Sequence, residues 1–264
     1  MEMRSGVLKS ILRSFVSVNI KASRVYDRLF SDRLSAQQSD TFPDIMPYIR
    51  PGMRIADLGG GKQPFLNGSF VRENDITYVG IDIDPEELAN APLGAYSYTR
   101  VLDVTSGFPP DEEPFDIIIC KSTLEHVRDT RKALENLLSA LKPGGHALIR
   151  TPCRHAVFAH LNRWLPEGLK RRLLHSIFPH KETDGFPAFY NRCSPPEFKA
   201  IISENGGRIF HLERCYWSSY FTAFFPVYAA WRFFSLLQLA FVSGYCENFA
   251  IIVGKNADAG SAPS

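Results

Sequence analysis

The chain has 264 residues, 45% of them apolar and 22% charged, with a formal net charge of +2. That length buries a full core in one or two domains, and so small a net charge gives no global field to draw nucleic acid, which is not expected as a partner. The five cysteines, at 120, 153, 193, 215 and 246, contain no CxxC pair; they suggest neither a zinc site nor a disulfide framework, no metal is expected, and a reducing cytoplasm fits best.

Residues 1–40 open the chain. Leu8, Ile11, Leu12, Phe15 and Val16 recur at helical spacing and predict an amphipathic helix. It carries Lys9, Arg13, Lys21, Arg24 and Arg28. Lys9 and Arg13 interrupt any apolar run, so no cleaved signal peptide is expected. Two readings stay open for this helix: a cover packed on the main domain, or a helix lying on an anionic membrane surface.

Strand and helix signals then alternate. MRIADLG, ITYVGIDID, YTRVLDV, FDIIICKS and HALIRTP read as strands, and RIFHLERCYW and NFAIIVGK as two more near the end. Short apolar runs without alternation mark strands buried on both faces; Cys120, inside one, reads as a small buried hydrophobe. TRKALENLLSALKPGG carries a stripe of Ala133, Leu134, Leu137, Leu138 and Leu141, and Pro143-Gly144-Gly145 is expected to stop that helix. SPPEFKAIISENGG predicts another, after Ser194. The alternation implies a doubly wound α/β fold with a mostly parallel sheet and helices on both faces. The expected organisation is a helical extension over 1–40, one domain over 41–256 with insertions near 153–190 and 218–246, and a disordered tail over 257–264.

Ligands of open parallel sheets bind beyond the carboxyl ends of the strands. After the first strand stands Asp57-Leu58-Gly59-Gly60-Gly61-Lys62-Gln63-Pro64. A dinucleotide fingerprint fails because Pro64 stands where a third small residue is needed. A P-loop fails because Ala56 replaces its first glycine and Gln63 follows the lysine. Asp82 ends the second strand about twenty residues past the loop, the offset of a ribose-binding carboxylate. Asp103 follows the third, where it can accept from an adenine amino group. Either aspartate alone reads equally as a helix cap or turn residue; their joint placement after successive strands favours a ligand.

The segments RIADLGGGKQP, YVGIDIDPEEL, RVLDVTSGFP and FDIIICKSTLEHVRDTRKALENLLSALKPGGHALIRTP, with the strand NFAIIVGK, resemble the class I S-adenosylmethionine-dependent methyltransferases over roughly residues 50–255. The resemblance implies a seven-stranded Rossmann-like sheet with the last strand antiparallel between its neighbours, and S-adenosyl-L-methionine as cofactor. By it, the loop at Gly59 and Gly61 wraps the methionine end; Asp82 holds the ribose; Asp103 and Val104 frame the adenine; Lys121 and Ser122 face the methionine moiety and the acceptor; and Asp57, Gly60, Gln63 and Ile83 also count among the cofactor-binding residues. Gln63 stands where the family's third loop glycine usually falls. No catalytic base is assigned, and His126 and Tyr190 are candidates only. His155, His160 and His180 fall in the stretch expected to cover the acceptor.

Residues 221–243 are nearly all apolar. A central charge costs about 2.5 kcal/mol in a membrane, so Arg232 argues against a span. Strands on either side of the segment also return both its ends to one sheet. A helix pair bent near Pro226, or an interfacial helix, is allowed, with Arg232 snorkelling and Trp217, Trp231 and Tyr245 at head-group depth. A packed cap or dimer contact competes with that. Arg163, Lys170, Arg171 and Arg172 form a basic stretch suited to a solvated face, to anionic lipid or to a phosphorylated acceptor. The expected function is methyl transfer, with O-methylation of a glycan or lipid-linked acceptor set against methylation of a small soluble metabolite or quinone, and against a non-catalytic cofactor-binding scaffold. The expected location is the cytoplasm, with peripheral contact on the inner face of a membrane as an open alternative.

Overall fold

The computed structural model describes residues 2–29, 43–164, 186–218 and 221–255, with side chains from Ile11 onward except Leu12. The expected tail, His180, Lys170, Arg171 and Arg172 lie outside the described residues. The chain divides into two units. One, the sheet unit, comprises residues 42–154, 187–213 and 249–264; the other, the helical unit, comprises 1–41, 155–186 and 214–248.

The sheet unit is organised by seven strands: β1 (Arg54–Leu58), β2 (Thr77–Asp82), β3 (Tyr98–Val101), β4 (Phe115–Lys121), β5 (Leu141–Pro152), β6 (Gly207–Cys215) and β7 (Asn248–Lys255). Their order is β3-β2-β1-β4-β5-β7-β6. β1 pairs in parallel with β2 and β4, β2 with β3, and β4 with β5. The sheet is mostly parallel with one antiparallel strand, the Rossmann-like arrangement expected. β7, last in the chain, enters between β5 and β6. Ile55, Tyr78, Ile117, Ile119, Leu148 and Ile252 form one buried cluster with Ile45, Leu66 and Val71, and it is their continuous apolar runs that hold strands covered on both faces.

The flanking helices start where their caps are. Asn67 accepts from the amide of Ser69 at the head of α2 (Gly68–Glu73). Asp84 accepts from Glu86 at the head of α3 (Pro85–Ala89), with Pro85 in the first turn. Asp129 accepts from Lys132 at the head of α4 (Thr130–Ser139). Each supplies an acceptor to an amide that the helix itself leaves unpaired. The expected helix-stopping role of Pro143-Gly144-Gly145 is corrected: α4 ends at Ser139, and β5 begins at Leu141. Leu141 lies opposite Phe115 and His146 opposite Ile117, so these residues form a bulge in the strand.

The helical unit contains α1 (Glu2–Asp27), α5 (Val157–Trp164) and α7 (Phe225–Phe241); α6 (Pro195–Glu204) belongs to the sheet unit. α1 and α7 pack together around Asp27, which is buried. Its carboxylate accepts from Arg232 Nη2 at 2.8 Å, from Trp217 Nε1 at 3.0 Å and from the Tyr228 hydroxyl. Arg232 also donates to the Tyr216 carbonyl at 3.0 Å. A second buried acid, Glu247, accepts from Tyr245 Oη at 2.8 Å and Trp231 Nε1 at 3.2 Å. The expectation that Arg232 snorkels and that Trp231 and Tyr245 sit at an interface is therefore corrected. All three are buried, because the acids of this unit supply the partners they need. Among the described residues no helix is long and apolar enough to cross a membrane.

Candidate active site

The carboxyl ends of β1 to β4 bring most of the sequence-predicted residues together. In register, Leu58 lies beside Ile81 and Cys120, and Asp82 beside Val101. The residues that follow these positions therefore share one edge of the sheet.

The loop after β1 is built by two glycines with left-handed backbone. Gly59 has φ +73°, and a Cβ there would meet Thr123 Oγ1 at 2.1 Å. Its amide donates to the Ile81 carbonyl at 2.7 Å. Thr123 closes the same contact by donating to the Leu58 carbonyl at 3.0 Å. Gly61 has φ +44°, and a Cβ there would lie 3.0 Å from Glu87 Cβ, 3.1 Å from Glu87 Oε2 and 3.2 Å from Asp82 Oδ2. The loop backbone thus runs close past the Glu87 and Asp82 side chains, where a side chain of its own would crowd both. The amide of Gln63 donates to the Gly60 carbonyl at 2.8 Å, so the chain turns at Gln63, where the third glycine is replaced, and Gln63 itself is exposed. Lys62 ties the loop to α3 through Glu87 at 3.1 Å.

Asp57 holds the loop from beneath. It is buried, and Oδ2 accepts from the Phe65 amide at 2.8 Å and from the Tyr78 hydroxyl. Burial pushes its carboxyl above the usual range, against the lowering pull of Tyr78 and Phe65. Tyr96 adds a hydroxyl 3.4 Å from Asp57 Oδ2 and 3.2 Å from the Gly61 carbonyl. Asp57 therefore acts as a positioning residue, with Tyr78 and Tyr96 as the partners that the sequence reading missed. A tyrosine inside a doubly buried strand is itself the available signal, since its hydroxyl needs a partner.

Asp82 is half-buried, and its Oδ1 accepts from the Asp84 amide at 3.0 Å. Burial raises its carboxyl, and the nearby Glu87 charge adds to the effect. Ile83 beside it is exposed. The Leu102 amide donates to the Asp82 carbonyl at 2.8 Å, which brings Asp103 alongside. Asp103 caps the short turn Val104–Ser106: Oδ1 accepts from the amide and the hydroxyl of Thr105, each at 2.8 Å. Val104 is buried, and its carbonyl accepts from Asn136 Nδ2 at 2.7 Å.

Lys121 and Ser122 are exposed at the end of β4, and Ser122 has φ +56°. The Ser122 amide donates to the Arg150 carbonyl at 2.8 Å. Past them, Glu125 is buried, and its Oε2 accepts from the Thr151 hydroxyl at 3.1 Å. Burial raises its carboxyl to about 7. Its backbone carbonyl accepts from the amides of Phe189 and Tyr190 at 2.7 and 3.0 Å. His126 Nδ1 lies 3.2 Å from the Pro187 carbonyl. A carbonyl only accepts, so the tautomer that pairs with Pro187 carries its proton on Nδ1, and Nε2 lies 3.9 Å from Glu125 Oε1. Tyr190 is buried. His155 and His160 lie in the helical unit. A cavity of about 690 Å³, lined by Tyr48, Asp116, His146 and Phe210 among others, opens at the opposite, amino-terminal edge of the sheet and shares none of these residues.

The model of a family described as a methyltransferase domain matches residues 30–194. The chain belongs to the methyltransferase-domain family. It is an S-adenosylmethionine-dependent methyltransferase domain, with S-adenosylmethionine as its cofactor. A phosphoethanolamine N-methyltransferase of Arabidopsis thaliana is 28% identical over 152 residues, covering 52% of this chain and 30% of that one. A ubiquinone biosynthesis O-methyltransferase of Idiomarina loihiensis is 28% identical over 130 residues, covering 44% of this chain and 53% of that one. A ubiquinone/menaquinone biosynthesis C-methyltransferase of Vibrio parahaemolyticus is 34% identical over 110 residues, covering 38% and 41%. The matched part of this chain thus spans between about a third and about half of these relatives.

The cofactor fits the residues present. The loop passes Asp82 with glycine backbone, as close approach of a ligand requires, and a side chain at Gly61 would crowd the space bordered by Glu87 and the Asp82 carboxylate. Among the described residues no cluster of three or more His, Cys, Asp or Glu is placed to hold a metal.

Proposed function

We propose that the chain methylates a hydroxyl oxygen of a lipid-linked or glycan-linked acceptor. The observation that carries the cofactor half of this reading is the meeting of the left-handed glycine loop and the half-buried Asp82 carboxylate at the ends of adjacent strands. Gly59, Gly60 and Gly61 offer backbone to the methionine end, Asp82 accepts from the ribose hydroxyls, and the strand end at Asp103 and Val104 borders the adenine. Bound S-adenosylmethionine supplies a methyl group already activated on a sulfonium. The protein's task is then mainly alignment of the acceptor oxygen, an effect of proximity and orientation. Lys121 and Ser122 are the exposed groups on the acceptor side. His126, with its proton on Nδ1, would take the acceptor's hydroxyl proton at Nε2.

A second reading, methylation of a small soluble metabolite or a quinone, is supported by the names of the relatives, which include ubiquinone-pathway and phosphoethanolamine enzymes. A labelled-methyl assay on cell extract separates the two. Label in the lipid or polysaccharide fraction supports the first, and label in a water-soluble small molecule or a free quinone moves the assignment to the second. Cofactor binding without label in any fraction leaves only a scaffold.

A further inference from the structure

α7 is built inside out. Surface helices normally bury an apolar stripe and expose polar residues. Here the inward face carries Tyr228, Trp231, Arg232 and Ser235, all buried. The outward face carries Phe234, Leu237 and Phe241 at spacings of three and four residues, flanked by Val227 and Phe233. All five are exposed, Phe234 by 56% and Phe241 by 82%. The segment holds no acidic residue, and its single charge, Arg232, is neutralised inside by Asp27. Polar groups paired inward and apolar groups turned outward are what a helix adopts when its outer solvent is lipid.

α1, packed against α7, repeats the pattern. Ile11, Phe15, Val18 and Val25 lie on one face and are exposed. Arg13, Lys21, Arg24 and Arg28 are also exposed. Lys21 borders the apolar face at a helical angle of about 80° from it, Arg24 lies further round, and Arg28 stands in the turn just past the helix end. Among the described side chains of α1 the only acid is Asp27, which is buried in its ion pair. Among the described side chains of this helix the exposed charge is therefore entirely basic. α7 has 17 residues, about 25 Å of helix, short of a bilayer's hydrocarbon core of about 30 Å.

We propose that the outer faces of α7 and α1 dock the protein on an anionic lipid surface, with Phe234 and Phe241 entering the acyl boundary and the basic residues of α1 meeting the headgroups. A second copy of the chain would equally cover the phenylalanines, but a like-charged copy would set basic residues against basic residues, whereas anionic headgroups answer both features.

The test is sedimentation of the full chain with vesicles of phosphatidylcholine alone and of phosphatidylcholine mixed with phosphatidylglycerol. The wild type should pellet with the mixed vesicles. Phe234→Glu with Phe241→Glu should lower that binding at least about tenfold. Arg24→Glu with Arg28→Glu should lower binding to the mixed vesicles by a similar factor and leave any binding to phosphatidylcholine unchanged. Affinity for S-adenosylmethionine, measured by calorimetry, should not change in either variant, which reports correct folding and keeps this test separate from the cofactor assignment. A wild type that stays in the supernatant with both vesicle types overturns the proposal. So does undiminished binding by the phenylalanine variant, and so does a wild-type dimer that this variant converts to monomer.

Discussion

At the scale of single residues, the site depends on bare backbone and on buried acids. Gly61 sits at φ +44° beside Asp82, where a left-handed backbone costs an L-residue about 1–2 kcal/mol. Gly61→Val should cost about that much stability and, by filling the space next to the carboxylate, abolish measurable cofactor binding. Denaturant unfolding and calorimetry on the same sample check both parts. Glu125 gives a pH prediction. Its carboxyl is raised from 4.5 to about 7 by burial, so between those values the folded protein keeps a proton that the unfolded chain has lost. Stability must then fall as pH rises through that window and level off above it, by a total of about 3 kcal/mol. Urea midpoints taken between about pH 5 and about pH 8 should show this decline, and Glu125→Gln should make it shallower, leaving the share of other raised carboxyls, Asp57 and Asp82 among them. An identical decline in the variant would place the titrating group elsewhere. The place of Asp82 at a strand end was legible in the sequence from its distance to the loop. The hydrogen bonds that Asp57 makes were not, because its partners Tyr78 and Tyr96 are set by packing between strands. Glu125 was overlooked beside His126 because burial, which raises its carboxyl, is not written in its neighbours.

At the scale of elements, legibility followed periodicity. β1, β2, β4 and β7 were readable because each holds a short apolar run, and α4 was readable from its stripe of Ala133, Leu134, Leu137 and Leu138. Pro143-Gly144-Gly145 misled because the same residues serve a helix end and a strand bulge equally well. α7 was readable as a helix, but which side it buries was not, since apolar residues surround it and its inward face is chosen by Asp27, 205 positions away. That ion pair is the element-scale prediction. Breaking a buried pair from one side strands a charge and costs about 3–5 kcal/mol, while replacing both partners by apolar groups costs far less. Arg232→Met should therefore destabilise the protein by that amount, and Asp27→Leu with Arg232→Met should recover only part of it, because the buried Tyr228 hydroxyl then loses its acceptor. Thermal unfolding of the wild type, both single variants and the double variant measures the coupling; additive losses would mean that the two side chains do not act as a pair.

At the scale of the whole molecule, the sheet presents the glycine loop, Asp82, Asp103 and Lys121 along one edge, and the helical unit carries the exposed apolar faces of α1 and α7. The membership of the family was legible because motifs fall at successive strand ends across much of the chain. The acceptor was not, because it is recognised by loops and helices whose sequence answers to one substrate and carries no periodic signal. In the proposed function, the edge formed by β1 and β2 holds S-adenosylmethionine through Asp82. Titration calorimetry of S-adenosylmethionine into the wild type and into Asp82→Ala tests it most directly. Loss of hydrogen bonds to a charged group costs about 1.5–3 kcal/mol, so the account predicts saturable binding at one site in the wild type and an affinity at least about tenfold weaker in a folded Asp82→Ala variant. No binding by the wild type, or equal affinity in the two proteins, would contradict it.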